Sequence, residues 1–141
     1  MARIFWDTNL FIYLFEQNPL FAPRVAEIRT RMLERSDTLV TSALTVGEIL
    51  VKPVELGNNT LVERYRHFFR SPAVTVIPFD QNAGEAYARI RMDRSIKRPD
   101  AIQLACAATA EVDLLITNDD RLSRKHVPGV HFVTGLAKAP I

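Results

Sequence analysis

The sequence predicts an α/β domain with a mainly parallel sheet and helices on both of its faces. Three observations carry that expectation. Short strand-like runs alternate with longer amphipathic stretches along the chain. At 141 residues the chain is the length of one domain and long enough to bury a core. No internal repeat, low-complexity tract or linker divides it, so residues 1–141 are expected to form a single domain.

The elements follow in order. "RIFW" (3–6) is a short β-rich run, and "TNLFIYLFEQ" (8–17) reads as a helix stopped by Asn18-Pro19. "FAPRVAEIRTRMLERS" (21–36) places Val25, Ile28 and Met32 on one helical face, with Leu33 as a further candidate for it. "TLVTS" (38–42) is strand-like. "LTVGEILVKPVEL" (44–56) is helical, with Pro53 expected to kink or end it. "TLVERYRHFFRS" (60–71) is amphipathic, and "AVTVIP" (73–78) is a strand. Helices are predicted over 81–95 and 99–112, a strand over 113–117, a short helix over 120–125 and a last strand over 130–133. The tail from about residue 134, "TGLAKAPI", is expected to be loosely ordered.

Composition excludes several classes. Apolar residues make up 48 % and charged residues 24 %, ordinary for a soluble globular protein. No apolar run approaches the roughly 20 residues of a membrane helix, so no membrane is expected among the partners. "MARIFWDTN" lacks the apolar core and small-residue cleavage site of a signal peptide, and a cytoplasmic protein is expected. The single cysteine, Cys106, rules out an intramolecular disulfide and reads as a core residue among small neighbours. His67, His126 and His131 have no cysteine partners and no ligand-like spacing, which argues against a Cys/His zinc site. With only five glycines and no G-x-x-x-x-G-K-[ST], there is no phosphate-cradling loop.

The net charge is only +2, but the cations cluster. "ARIRMDRSIKRP" carries Arg89, Arg91, Arg94, Lys97 and Arg98 against the single acid Asp93, and "ERYRHFFR" forms a second basic set. Solvated helix faces account for such runs, and so does a phosphate-attracting surface.

Parallel α/β sheets bind ligands in the crevice beyond the carboxyl ends of their strands. Four acids fall near such positions. Asp7 follows the first strand, Glu48 lies just after the second, Asp100 opens the helix before the fourth, and Asp119 follows that strand in "LLITNDD". Each also fits a capping role. Asp7 suits an N-cap, Thr45 and Glu48 fit a T-x-x-E box, Pro99-Asp100 suits a first helical turn, and Asp119 or Asp120 suits the cap of the short helix. A cap needs only one polar atom, whereas here all four positions carry a carboxylate. Converging in one crevice, they would repel one another unless neutralised, and an all-oxygen donor set selects a hard cation such as Mg²⁺ or Mn²⁺. Such an ion suits phosphoryl chemistry, with the run Arg94, Lys97 and Arg98 placed to hold phosphates beside the cleft.

The stretches "DTNLFIYLFE", "SALTVGEIL", "RPDAIQLACAA" and "LLITNDDRL" together resemble the PIN-domain nucleases, specifically the VapC-type toxins of bacterial and archaeal toxin–antitoxin pairs. The resemblance runs over nearly the whole chain. It implies a three-layer α/β/α sandwich around a mainly parallel sheet of about five strands. It places Asp7, Glu48, Asp100 and Asp119 at the family's acidic metal-site positions, Glu48 as a ligand directly or through water. Asn9, Thr117 and Asn118 match polar residues expected to support the site. Of the two acids in "NDD", Asp119 is the one that aligns, and Asp120 is left as a cap or an auxiliary ligand.

The activity implied is hydrolysis of RNA phosphodiester bonds with one or two Mg²⁺ or Mn²⁺ ions. The partners implied are an RNA substrate, a cognate antitoxin that inhibits the enzyme, and a second copy of the chain in a homodimer. Two other readings stand beside it. One is a different Mg²⁺-dependent phosphoryl-transfer enzyme on a doubly wound sheet. The other is a non-catalytic binding domain whose acids only cap helices.

Overall fold

The computed structural model describes all 141 residues. Five strands form one sheet: β1 (Arg3–Trp6), β2 (Thr38–Ser42), β3 (Thr75–Ile77), β4 (Leu114–Thr117) and β5 (Phe132–Gly135). Their order is β3-β2-β1-β4-β5, and every neighbouring pair is parallel. The helices are α1 (Thr8–Phe15), α2 (Ala22–Glu34), α3 (Ala43–Glu55), α4 (Asn59–Arg70), α5 (Gln81–Ile90) and α6 (Arg98–Thr109), with a 3₁₀ turn at Leu122–Arg124. No helix is long and apolar enough to cross a membrane.

The alternation of side chains along β1 assigns the layers, because successive residues of a strand point to opposite faces. Ile4 and Trp6 pack with Leu10 and Phe11 of α1, Val25, Ile28 and Met32 of α2, Ile49 of α3 and Phe69 of α4. Phe5 lies on the other face with Val40, Leu115, the α5 alanines Ala83 and Ala86, and the buried side of α6. The result is the expected three-layer sandwich. Helix α6 has little polar surface: Ala101, Leu104, Ala105, Cys106 and Ala107 are all fully buried. Small side chains there let the chain before β5 come close. Gly129 has φ +93°, and a Cβ on it would lie 2.9 Å from the Ala108 carbonyl oxygen.

Several boundaries differ from expectation for identifiable reasons. Helix α1 stops at Phe15 because Gln17 turns left-handed (φ 54°) and the Asn18 side chain then accepts the Leu20 and Phe21 amides. Pro53 lies inside α3, which runs two residues beyond it and ends before Gly57, at φ +64°. Helix α5 ends at Ile90 rather than 95, since Asp93 accepts both the amide and the hydroxyl of Ser95 and closes a turn. The tail is the clearest departure. Thr134 and Gly135 belong to β5, Leu136 and Ala139 are buried in the core, and the Arg24 guanidinium of α2 donates to the carbonyls of Leu136, Ala139 and Ile141. That anchoring side chain lies more than 100 residues away in sequence, so the tail's own composition gave no sign of it.

Candidate active site

The strand order reverses between β1 and β4, so helices following these two strands diverge and leave a crevice at their carboxyl ends. Asp7 comes directly after Trp6 at the end of β1, and its amide bonds the Ile116 carbonyl of β4. Asp119 lies two residues beyond β4. Glu48 is in the second turn of α3, and Asp100 is in the first turn of α6 behind Pro99. All four line one cavity of ≈ 220 Å³, together with Thr8, Asn9 and Gln103.

Capping and convergence are both realised. Asp7 Oδ1 accepts the Thr8 amide at 2.7 Å, which makes Asp7 the N-cap of α1. Its Oδ2 accepts the Thr117 hydroxyl at 2.8 Å. Burial pushes the Asp7 carboxyl above its ordinary pKa. These two hydrogen bonds oppose the rise, and the field of Asp119 adds to it. Asp100 is raised too, first by burial and then by the charges of Asp7 and Asp119, with Arg121 and Lys97 pulling the other way. Asp119 is the exception. Partial burial raises it, but hydrogen bonds from the side chain and backbone of Arg121 prevail and hold it below the ordinary range. The Arg121 amide lies 2.9 Å from Asp119 Oδ1.

Beneath the carboxylates is a group of neutral polar side chains that sequence reasoning missed. Gln103, only 3 % exposed, is its centre. Its Nε2 donates to Thr45 Oγ1 (2.8 Å) and Thr8 Oγ1 (3.0 Å), with Asp7 Oδ1 more distant at 3.5 Å. Its Oε1 accepts the Ser42 hydroxyl. Thr8 in turn donates to Glu48 Oε1 at 2.7 Å, and Thr41 donates to the Trp6 carbonyl at 3.0 Å. One order of protons satisfies every member: Ser42 to Gln103, Gln103 to Thr8 and Thr45, Thr45 to Thr8, Thr8 to Glu48. The T-x-x-E box is not formed. Ser42 is the N-cap of α3, which frees the Thr45 side chain to join this network. A Gln in the middle of an otherwise apolar helix, three residues after Asp100 and so on the same face, was the available signal.

The other sequence-derived positions divide. Thr117 holds Asp7 and also accepts the Asp119 amide at 3.1 Å. Asn118 turns to α1, where its Nδ2 donates to the Tyr13 hydroxyl at 3.1 Å. Asn9 is exposed on the cavity rim and makes no side-chain hydrogen bond. Asp120 is exposed and outside the cavity lining. Arg94, Lys97 and Arg98 are exposed beside the entrance to α6 and form no ion pair, which leaves them free as cations.

As the side chains stand, no three acidic, imidazole or thiol groups are close enough to hold an ion together. The donor set nevertheless suits a hard cation: four carboxylates, two of them carrying the cost of burial and mutual repulsion. Asp119 is engaged near the surface by Arg121, a pair worth about 1 kcal/mol at most. That is small beside what a divalent ion gains from several carboxylates.

A doubly wound parallel sheet with an acid-lined crevice at its switch point defines the class of protein. The chain belongs to the PIN domain family, whose profile matches residues 4–127. It is 33 % identical over 123 residues to Ribonuclease VapC23 of Mycobacterium tuberculosis, a match covering 85 % of this chain and 95 % of that protein. Among solved structures it resembles a chain of VapBC2 from Rickettsia felis, in a crystal with a promoter DNA fragment (TM-score 0.70, 17 % identity, 94 % and 98 % of the two chains). It also resembles a chain of a toxin–antitoxin complex from Klebsiella pneumoniae (TM-score 0.65, 25 % identity, 90 % and 94 %).

Proposed function

We propose that this protein is a divalent-metal-dependent endoribonuclease, the toxin of a toxin–antitoxin pair, in which Asp7, Glu48, Asp100 and Asp119 form the active site. The observation that carries the reading is their convergence on one small cavity at the switch point, with two of the carboxylates held in a state that a cation would relieve. The ribonuclease name of the 33 % identical relative supports the activity, and the toxin–antitoxin complex supports an antitoxin partner.

Asp7, Asp100 and Asp119 would hold one or two Mg²⁺ or Mn²⁺ ions, with Glu48 as a further ligand directly or through water. When bound, the ion polarises a phosphoryl oxygen and acidifies a water molecule. The chain's own residues supply the rest. Thr8 and Thr117 fix both oxygens of Asp7, so it presents a set orientation. Thr8 ties down Glu48 Oε1, and Glu48 Oε2 has no hydrogen bond, which suits it to orient or deprotonate a water. Lys97, Arg94 and Arg98 hold phosphates flanking the scissile one and offset charge as it develops. The enzyme acts in the cytoplasm as a homodimer, and its cognate antitoxin blocks it.

The test is cleavage of total RNA with Mg²⁺ or Mn²⁺, with EDTA, and with Asp7→Asn protein, alongside Mn²⁺ binding by calorimetry. Metal-dependent cleavage that the substitution abolishes is expected. No cleavage together with no Mn²⁺ binding would return the four acids to capping and leave a binding domain.

A further inference from the structure

Three cavities share lining residues in succession. The acid-lined one shares Asp100 and Asp119 with a second, ≈ 240 Å³, which also contains Arg121 and Lys125. The second shares Ile96 and Lys125 with a third, ≈ 630 Å³, between α5, α6 and the chain before β5. Neighbouring cavities thus meet at shared side chains, with Arg121 and Lys125 standing between the carboxylates and the third cavity.

The third cavity differs from the other two in its volume and its more apolar lining. Glu85 and Asp93 offset Arg89 and Lys125 around it, and Lys125 is already engaged by Asp93 Oδ2 at 2.9 Å and Ser95 Oγ at 2.8 Å. The cavity floor is apolar, with Ala86, Ile96 and Val127 buried and Ile90 beside them. Asn82, Arg89 and His126 stand at its edge with no side-chain hydrogen bond or ion pair, so their donors and acceptors are available. Its volume lies within the roughly 300–1,000 Å³ typical of small-molecule sites. The wall formed by the chain before β5 is held against Ala108 at Gly129, so the cavity is built into the fold.

We infer that this cavity is a nucleobase subsite. One unstacked base of a single-stranded RNA, displaced from the scissile phosphate, enters it while Arg121 and Lys125 follow the backbone in between. The inference rests on the ribonuclease reading. Sequence-selective RNA recognition acts mainly on unpaired bases that can be splayed out and read on their edges. An apolar floor with amide, guanidinium and imidazole groups at its rim meets that need, and Arg121 and Lys125 in the neighbouring cavity stand where the intervening phosphates would pass. The cavity would then select the base at a fixed distance from the cut.

The experiment takes a synthetic oligoribonucleotide spanning a cut site mapped in total RNA and makes each position abasic in turn. At one fixed position kcat/KM should fall about tenfold, roughly 1.4 kcal/mol, with little change elsewhere. Arg89→Ala, which removes a rim donor, and Asn82→Trp, which fills the cavity from its exposed rim, should cut the intact oligonucleotide more slowly. Both should show a much smaller abasic effect at that position, with melting temperatures near the parent's. A flat abasic scan, or an abasic effect unchanged in both variants, would overturn the subsite while leaving the nuclease reading intact. Absence of metal-dependent cleavage of every RNA would overturn the nuclease reading and the subsite with it.

Discussion

Replacing Gln103 by leucine tests whether the buried hydroxyl network holds the site together. The side chain is 3 % exposed and leucine is close to it in size, so little cavity or strain is introduced. What is lost is two donated hydrogen bonds, to Thr45 and Thr8, and the only acceptor of the Ser42 hydroxyl proton. A neutral hydrogen bond contributes about 0.5–1.5 kcal/mol net, and a buried group left unpaired costs about 1–3 kcal/mol. The expected destabilisation is about 2–4 kcal/mol after allowing for the gain from burying leucine, a large part of the roughly 5–15 kcal/mol that holds a domain. It would be read as a lower urea midpoint with unchanged slope.

Gln103→Glu separates charge from packing. It keeps the shape but sets a fifth carboxyl near Asp7. Below the ordinary carboxylate range both groups are protonated and the cost is small. As the pH rises the buried acid resists ionisation, its folded pKa stands above the unfolded value, and stability is lost. Its destabilisation should therefore be larger at pH 7 than at pH 4. A Gln103→Leu cost below about 1 kcal/mol, or a Gln103→Glu cost that does not vary with pH, would refute the account of Gln103 as the centre of the network.

Asp7→Asn should melt at a higher temperature than the parent in EDTA at pH 7. The folded Asp7 carboxyl titrates above its unfolded value, so its ionisation costs stability that grows as the pH rises through that interval, and the gain should disappear toward pH 3. The same protein should lose cleavage by about a hundredfold or more. Cys106 is fully buried, and burial, with a smaller effect of Asp80, pushes its thiol up to about 11. At pH 8 only about one molecule in a thousand then carries the thiolate, and Ellman's reagent should react only as fast as the protein unfolds. Leu136→Ala, in the tail that packs under α2, should cost about 2–5 kcal/mol in a urea titration. A tail without structural weight would show almost none.

How far the sequence revealed the fold depended on whether the deciding interactions were local. Strands 3–6 and 38–42 have the expected limits, because a polar residue that caps the next helix stands just after the first, Asp7 for α1, and closes the second, Ser42 for α3. Helix α5 was expected too long, since "IRMDRS" continues the helical pattern while the Asp93–Ser95 turn interrupts it. The tail was misjudged because Leu136 and Ala139 stand singly among Gly, Lys and Pro, with no period to mark them. They are buried by packing against β1, α1 and α2, and Arg24 holds their carbonyls, contacts that only tertiary structure supplies.

The site divides in the same way. Its acids were legible because a carboxylate beside an apolar strand end is unusual enough to need a reason. The hydroxyls of Thr8, Thr41, Ser42 and Thr45 were not, because Ser and Thr at strand ends are commonplace caps. Yet these neutral groups are what allow the acids to sit where they do. Asp7 and Asp100 pay for burial and mutual repulsion, and Arg121 forms hydrogen bonds with Asp119 alone while only its charge reaches Asp100. A second arginine in the floor would have relieved the strain and, by the same stroke, removed the reason for a cation to bind. Hydroxyls and one amide fix the geometry of Asp7 and Glu48 without cancelling their charge. The charge is therefore left for the cation we propose there, and the stability that Asp7→Asn should recover measures what the fold gives up to keep it.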